Sequence, residues 1–167
     1  MNNIFTRLKT FFITNKTAVI IVLAVVTLDR VTKVFALELL RPVGSVGIFK
    51  YLHMTYVQNT GAAFGIMQNS NLFWLAVMLI VTAFIVKFWK DMAALRPPLG
   101  LIGVSLILGG AFGNVYDRIV LGFVVDMIDF RVWPVFNVAD SAISAGAVLL
   151  ALAMFFDKPG KKAPEGK

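Results

Sequence analysis

Four long apolar runs separated by short polar stretches dominate the pattern of this 167-residue chain. The first reads AVIIVLAVVTL over residues 18–28 and continues through DRVTKVFA toward Leu40; the second, LFWLAVMLIVTAFIVKFW, covers 72–89; the third, LGLIGVSLILGGAFGNV, covers 99–115; the fourth fills NVADSAISAGAVLLALAMFF, 137–156. A helix of about 20 mostly apolar residues crosses the hydrocarbon of a bilayer, so the pattern predicts four membrane-spanning helices. Pro97 and Pro98 stand just before the third, where a fixed φ suits a helix start. The first run follows a basic lead (Arg7, Lys9, Lys16), as a secretory signal peptide would, but DRVTK occupies the place of a small-residue cleavage site and an uncleaved helix is expected.

Between the runs the period changes. Residues 46–57 (VGIFKYLHMTYV) and 122–130 (GFVVDMIDF) are dense in aromatic and β-branched residues, which predicts short strands. If 124–130 is extended, Asp126 and Asp129 point to opposite faces, because side chains alternate along a strand. The tail DKPGKKAPEGK is linker-like, so the expected organisation is one membrane domain over residues 1–157 and a disordered basic tail over 158–167.

Composition supports the membrane reading: 59% of residues are hydrophobic, 15% are charged, and the mean hydropathy is +0.82. The absence of cysteine excludes thiol chemistry and thiolate metal sites, and a single histidine, His53, excludes a histidine-rich one. His53 itself reads as structural. The net charge of +7 comes from short basic flanks, with no basic amphipathic face, so no nucleic-acid partner is expected. Lys and Arg mark the amino-terminal lead, the link between the second and third runs (Lys87, Lys90, Arg96) and the tail (Lys158, Lys161, Lys162, Lys167). Positive-inside topology then places both termini in the cytoplasm and the polar ends of the runs on the outer face.

That face collects the candidate chemistry. Asp126 and Asp140 form a possible pair of carboxylates, one protonated and one charged, suited to acid and base work on one water. The bland alternative makes Asp140 the N-cap of the last helix and Asp126 a surface residue, and capping does not exclude catalysis. GGAFGNVYDR (109–118) combines a GxxxG helix contact at Gly109 and Gly113 with the polar end Asn114, Asp117 and Arg118. Asp29 and Lys33, four apart on one helix, read as an ion pair. Lys33 is also the one lysine placed to serve a serine nucleophile, Ser141 or Ser144. QNTGAAFG (58–65) suits a close-packed loop around Asn59. A proton-linked transporter or a non-catalytic scaffold would also account for carboxylates among apolar helices.

DRVTK, QNTGAAFG, GGAFGNVYDR running into GFVVDMID, and FNVADSAI occur in an order that resembles the bacterial lipoprotein signal peptidases, signal peptidase II. The resemblance extends from about Asp29 to Ser144. It implies an all-α integral membrane fold, a four-transmembrane-helix bundle with a small extracytoplasmic β-cradle and a short amphipathic helix. The implied activity is that of an aspartic endopeptidase that removes the signal peptide of diacylglyceryl-modified prolipoproteins just before the lipidated cysteine. It further implies Asp126 and Asp140 as the catalytic pair, with Asp29, Lys33, Asn59, Gly61, Asn114, Arg118 and Asn137 as supporting or substrate-binding positions. No metal or cofactor is implied, and the expected partners are the prolipoprotein and membrane lipid, with the enzyme a monomer of the bacterial inner membrane. The sequence departs from the family at Met127, where an aromatic is expected, and in a short 126–140 interval.

Overall fold

The computed structural model describes residues 15–61 and 70–157. Arg7, Lys9, the second half of QNTGAAFG and the 158–167 tail singled out above lie outside the described residues. Helix α1, Lys16–Phe35, runs into a π-helical turn, Ala36–Leu40, which accounts for the predicted continuation toward Leu40. Strands β1 (Ser45–Phe49) and β2 (Leu52–Asn59) follow, then α2 (Asn71–Lys87), the short α3 (Trp89–Ala94), α4 (Leu99–Val120), β3 (Val124–Asp129) and α5 (Val138–Phe156). The fold is mostly helical with one small antiparallel sheet, in the order β1-β2-β3.

Of the four expected spans, α4 and α5 are long and apolar enough to cross a membrane by length and composition, and α2 is a shorter apolar helix of 17 residues. Helix α1 departs from a plain apolar span because Asp29, Arg30 and Lys33 occupy its second half. The outer surface is apolar, with Leu72 78%, Ile80 70% and Phe155 81% exposed. Water would penalise such a surface strongly, whereas lipid tails would not.

Packing is organised around α4. It buries residues on several sides and meets α5, α1, α2 and α3, while α2 rests on α4 with at most marginal contact to α1 or α5. The buried positions of α1, Ala18, Val25, Asp29 and Lys33, recur at helical spacing as a single stripe against α4. Small residues set the approach distances. The expected GxxxG contact forms with α1: a Cβ on Gly109 would lie 2.8 Å from Val25 Cβ, and one on Gly113 2.5 Å from Asp29 Oδ2. The α4–α5 seam uses other glycines, Gly103 against Gly146 and Gly110 against Ala139. A Cβ at Gly110 would stand 2.4 Å from the Ala139 carbonyl oxygen, which is backbone and cannot swing aside. Gly110→Ala is therefore expected to force the helices apart and cost about 1–3 kcal/mol, the usual range for overpacking; an unchanged midpoint of thermal unfolding in detergent would contradict this.

The sheet packs against the π-helical turn that follows α1, with β3 also meeting α4 and α1. The apolar stretch 46–57 is broken by a tight turn at Lys50 and Tyr51, so it forms a hairpin and not one strand. β2 pairs with β3 so that Val57 faces Asp126 and Asn59 faces Val124. Asn59 and Asp126 are thus diagonal neighbours on one face of the sheet. Met127, on the other face, is 1% exposed and packs with Ala36 and Val125, so the family's missing aromatic affects a small apolar core and not the carboxylates. His53 pairs with Asp129 in the sheet, close against Gly47.

Candidate active site

Asp126 comes from the middle of β3 and Asp140 from the first turn of α5, and Asn137 joins them. Asn137 Oδ1 accepts from the Asp140 backbone N–H at 2.8 Å, and Asp140 Oδ2 accepts from the Asn137 backbone N–H at 3.3 Å. This reciprocal capping box shows that Asn137, not Asp140, is the N-cap of α5. The same Asn137 side chain donates through Nδ2 to Asp126 Oδ1 at 2.7 Å. Asn59 Nδ2 donates to Asp126 Oδ2 at 2.9 Å, and Asn114 Nδ2 donates to Asp140 Oδ1 at 2.8 Å. Each carboxylate therefore receives two N–H donors, with three asparagines from β2, α4 and the α5 cap fixing their orientation. Asp126 is only 1% exposed, and burial, followed by the neighbouring charge of Asp140, pushes its pKa up to about 7 against the opposing hydrogen bonds from Asn59 and Asn137.

A buried ionic cluster lies on the other side of Asn114. Lys33 Nζ is surrounded by Asp29 Oδ2 at 2.8 Å, Asp117 Oδ2 at 2.9 Å and Asn114 Oδ1 at 2.9 Å. Asp117 also pairs with Arg30, whose guanidinium lies over the Tyr116 ring. The expected Asp29–Lys33 pair is present, but it belongs to a larger set. Asp29 Oδ1 accepts from the Ala139 N–H at 3.0 Å and Asp117 Oδ2 from the Val125 N–H at 3.1 Å. The cluster thus holds the starts of α5 and β3, the two elements that carry Asp140 and Asp126. With three oxygens around its ammonium, Lys33 is not free to act as the base for a serine, and Ser141 Oγ donates to the Asn137 carbonyl. The serine–lysine alternative finds no support in this geometry.

Arg118 holds the loop beside the pair. Its Nη2 donates to the Gly61 carbonyl at 2.6 Å and its Nη1 to Asn71 Oδ1 at 3.1 Å, while Asn71 Nδ2 donates back to the Arg118 carbonyl at 3.0 Å. Gly61 N–H in turn donates to Asn59 Oδ1 at 3.1 Å. The nine site residues implied by the resemblance therefore fall in one connected region. Asp129 does not: it faces away, bonded to Thr55 and Arg131, as strand alternation predicts. Sequence reasoning missed the part played by Arg30 and Asn71, and treated Asp117 only as a polar helix end. The available signal was position, since Asp117 and Arg30 are charges within otherwise apolar helices.

A cleft of about 620 Å³ opens beside the pair. Asn59, Asn114, Arg118 and Asp140 form its polar side, and Trp74, Met78 and Ile143 are in its apolar wall. Asp126 does not line it directly but meets its wall through Asn59.

Apolar helices that carry two asparagine-bridged carboxylates beside a cleft fit the class of membrane aspartic peptidases. Within that class the chain belongs to the signal peptidase II family: the family model described as signal peptidase (SPase) II matches residues 21–156. Relatives named lipoprotein signal peptidase include one from Caldanaerobacter subterraneus subsp. tengcongensis, 45% identical over 83% of this chain and 96% of its own length, and one from Syntrophomonas wolfei subsp. wolfei, 43% identical over 81% and 90%. A solved structure described as a bacterial membrane enzyme, obtained by the in meso method at 2.3 Å resolution, superposes with a TM-score of 0.78 at 32% identity, covering 91% of this chain and 95% of that one. The protein is an aspartic endopeptidase of a family that cleaves lipoprotein signal peptides.

Proposed function

We propose that this chain cuts diacylglyceryl-modified prolipoproteins immediately before the lipidated cysteine, using Asp126 and Asp140 to activate water. The observation that carries the reading is the single Asn137 side chain bonded to both carboxylate-bearing segments at the edge of an apolar-walled cleft. Asp140, which lines the cleft, takes a proton from the attacking water. Asp126 carries a proton and donates to the scissile carbonyl oxygen once the peptide takes the place of Asn59. The pair titrates as a unit. Arg118, Gly61 and Asn59 shape the cleft, and Asp29, Lys33 and Asn114 hold the pair in register.

In this reading all four long helices span the membrane, α2 at the short end of the range and α1 with its charges turned onto α4. Both termini face the cytoplasm of a bacterial inner membrane, the sheet and the cleft lie at the outer face, and residues 1–157 work as one monomeric domain in contact with lipid. A lipid-bearing substrate enters from the bilayer between α2 and α5, which do not close on each other.

Purified protein in detergent is expected to release the signal peptide from a diacylglyceryl-modified prolipoprotein, with the product mass placing the cut before the modified cysteine. The rate should fall as pH rises through about 7. The sign follows from the pair: Asp126 owes part of its raised pKa to the Asp140 charge, so its proton is the second to leave, and losing it removes the general acid. A rate still rising well above that pH would contradict the assignment of the proton to Asp126.

A further inference from the structure

The proposed mechanism gives no role to Trp74, which lines the cleft. Trp74 stands in the first turns of α2, and its indole Nε1 is buried with no hydrogen-bond partner among the described residues. Native structures seldom leave a buried donor unpaired, and such exceptions call for a reason. Its surroundings suggest one. Trp74 and Met78 line the cleft from α2, while Asp140, Ser141 and Ile143 line it from α5. The ring is not loosely placed: Asn71, one turn earlier, is bonded in both directions to Arg118, and Phe73 meets the indole edge-on with ring centroids 5.2 Å apart.

Resting on the substrate reading above, we propose that Trp74 is a substrate-binding residue whose indole N–H donates to a carbonyl oxygen of the bound lipopeptide. An indole N–H donates and cannot accept, so its partner must be an acceptor. A diacylglyceryl-modified peptide brings two kinds of uncharged acceptor to this depth, the backbone carbonyl and the ester carbonyl of the glyceryl group. Either satisfies the donor without bringing a charge among apolar side chains. The apolar body of Trp74, with Met78 and Ile143, would line the path of the attached chains while the N–H fixes their depth relative to Asp140.

The test measures binding, on the Asp126→Asn protein so that turnover does not interfere. With a diacylglyceryl-modified lipopeptide spanning the cleavage site, the indole ¹⁵N–H resonance of Trp74 is expected to move downfield on saturation. Trp74→Phe in the same background, which keeps a large apolar ring and removes the N–H, should bind about tenfold more weakly, as befits one lost neutral hydrogen bond. A dialkyl ether analogue separates the acceptors: if Trp74→Phe then binds it as tightly as the parent does, the partner is the ester carbonyl, and if the tenfold loss persists it is the peptide. An unmoved resonance at saturation, or equal affinity of a folded Trp74→Phe protein for the ester lipopeptide, would overturn the assignment. Absence of binding by the parent would overturn the substrate reading itself, and loss of the catalytic pair would show in cleavage alone.

Discussion

Asp126→Asn and Asp140→Asn are each expected to lower cleavage of a lipid-modified prolipoprotein by about 10²–10⁴-fold, the usual contribution of a positioned acid or base. The amide is isosteric and uncharged. At position 140 it keeps an oxygen for the Asn137 backbone N–H, so the α5 capping box survives. At position 126 it keeps one acceptor for either Asn59 or Asn137. Both variants should therefore remain folded, which thermal unfolding in detergent verifies, while neither can shuttle a proton. Folded Asp126→Asn protein cleaving at near the wild-type rate would leave Asp140 as an isolated carboxylate and end the paired mechanism. The two losses should not add in the double variant, since each removes the same chemical step.

The second large effect concerns stability. Lys33→Met removes the ammonium that sits between Asp29 and Asp117, both fully buried. Breaking a buried ion pair from one side leaves an uncompensated charge and typically costs about 3–5 kcal/mol. Asp117 retains Arg30, so the exposed liability is Asp29, which still has the Ala139 N–H but no cation. Adding Asp29→Asn to Lys33→Met should then recover part of the loss. Thermal unfolding of both variants in detergent checks this pair of expectations; a Lys33→Met midpoint equal to that of wild type would mean that the cluster does not hold the bundle. Activity should fall alongside stability, because Asp29 and Asp117 hold the backbone of Ala139 and Val125, each next in sequence to a carboxylate of the pair.

The wider consequence is a division of labour among the charged residues. Asp29, Lys33, Asp117 and Arg30 form a cluster of two acids and two bases that ties together four elements, α1, α4, β3 and α5. Asp126 and Asp140 are held by neutral amides instead. An amide donor fixes a carboxylate without contributing a full positive charge, so it leaves room for burial to raise the pKa of Asp126 into the range where a proton can be both held and given up.

Local pattern was enough for much of this protein. The apolar runs fixed where the helices lie because burial periodicity and length act within one segment, and α1, α2 and α5 fall close to their expected bounds. Alternation along β3 separated Asp126 from Asp129, and the spacing of Asp29 and Lys33 gave their ion pair, since both relations span only three or four residues. The resemblance of ordered motifs added the remaining site positions. What tertiary structure alone decided are the relations across long separations. The Asp29 contact with Ala139 spans 110 residues, the Arg30–Asp117 pair 87, and the Lys33–Asn114 bond 81. No local periodicity encodes which side of α4 meets which neighbour, so Gly109 and Gly113 turned to α1 while Gly103 and Gly110 took α5. The reading of Asp140 as the cap of α5 was likewise overturned by the tertiary structure, where the backbone entering the helix makes Asn137 the cap and lets one asparagine hold both carboxylate-bearing segments.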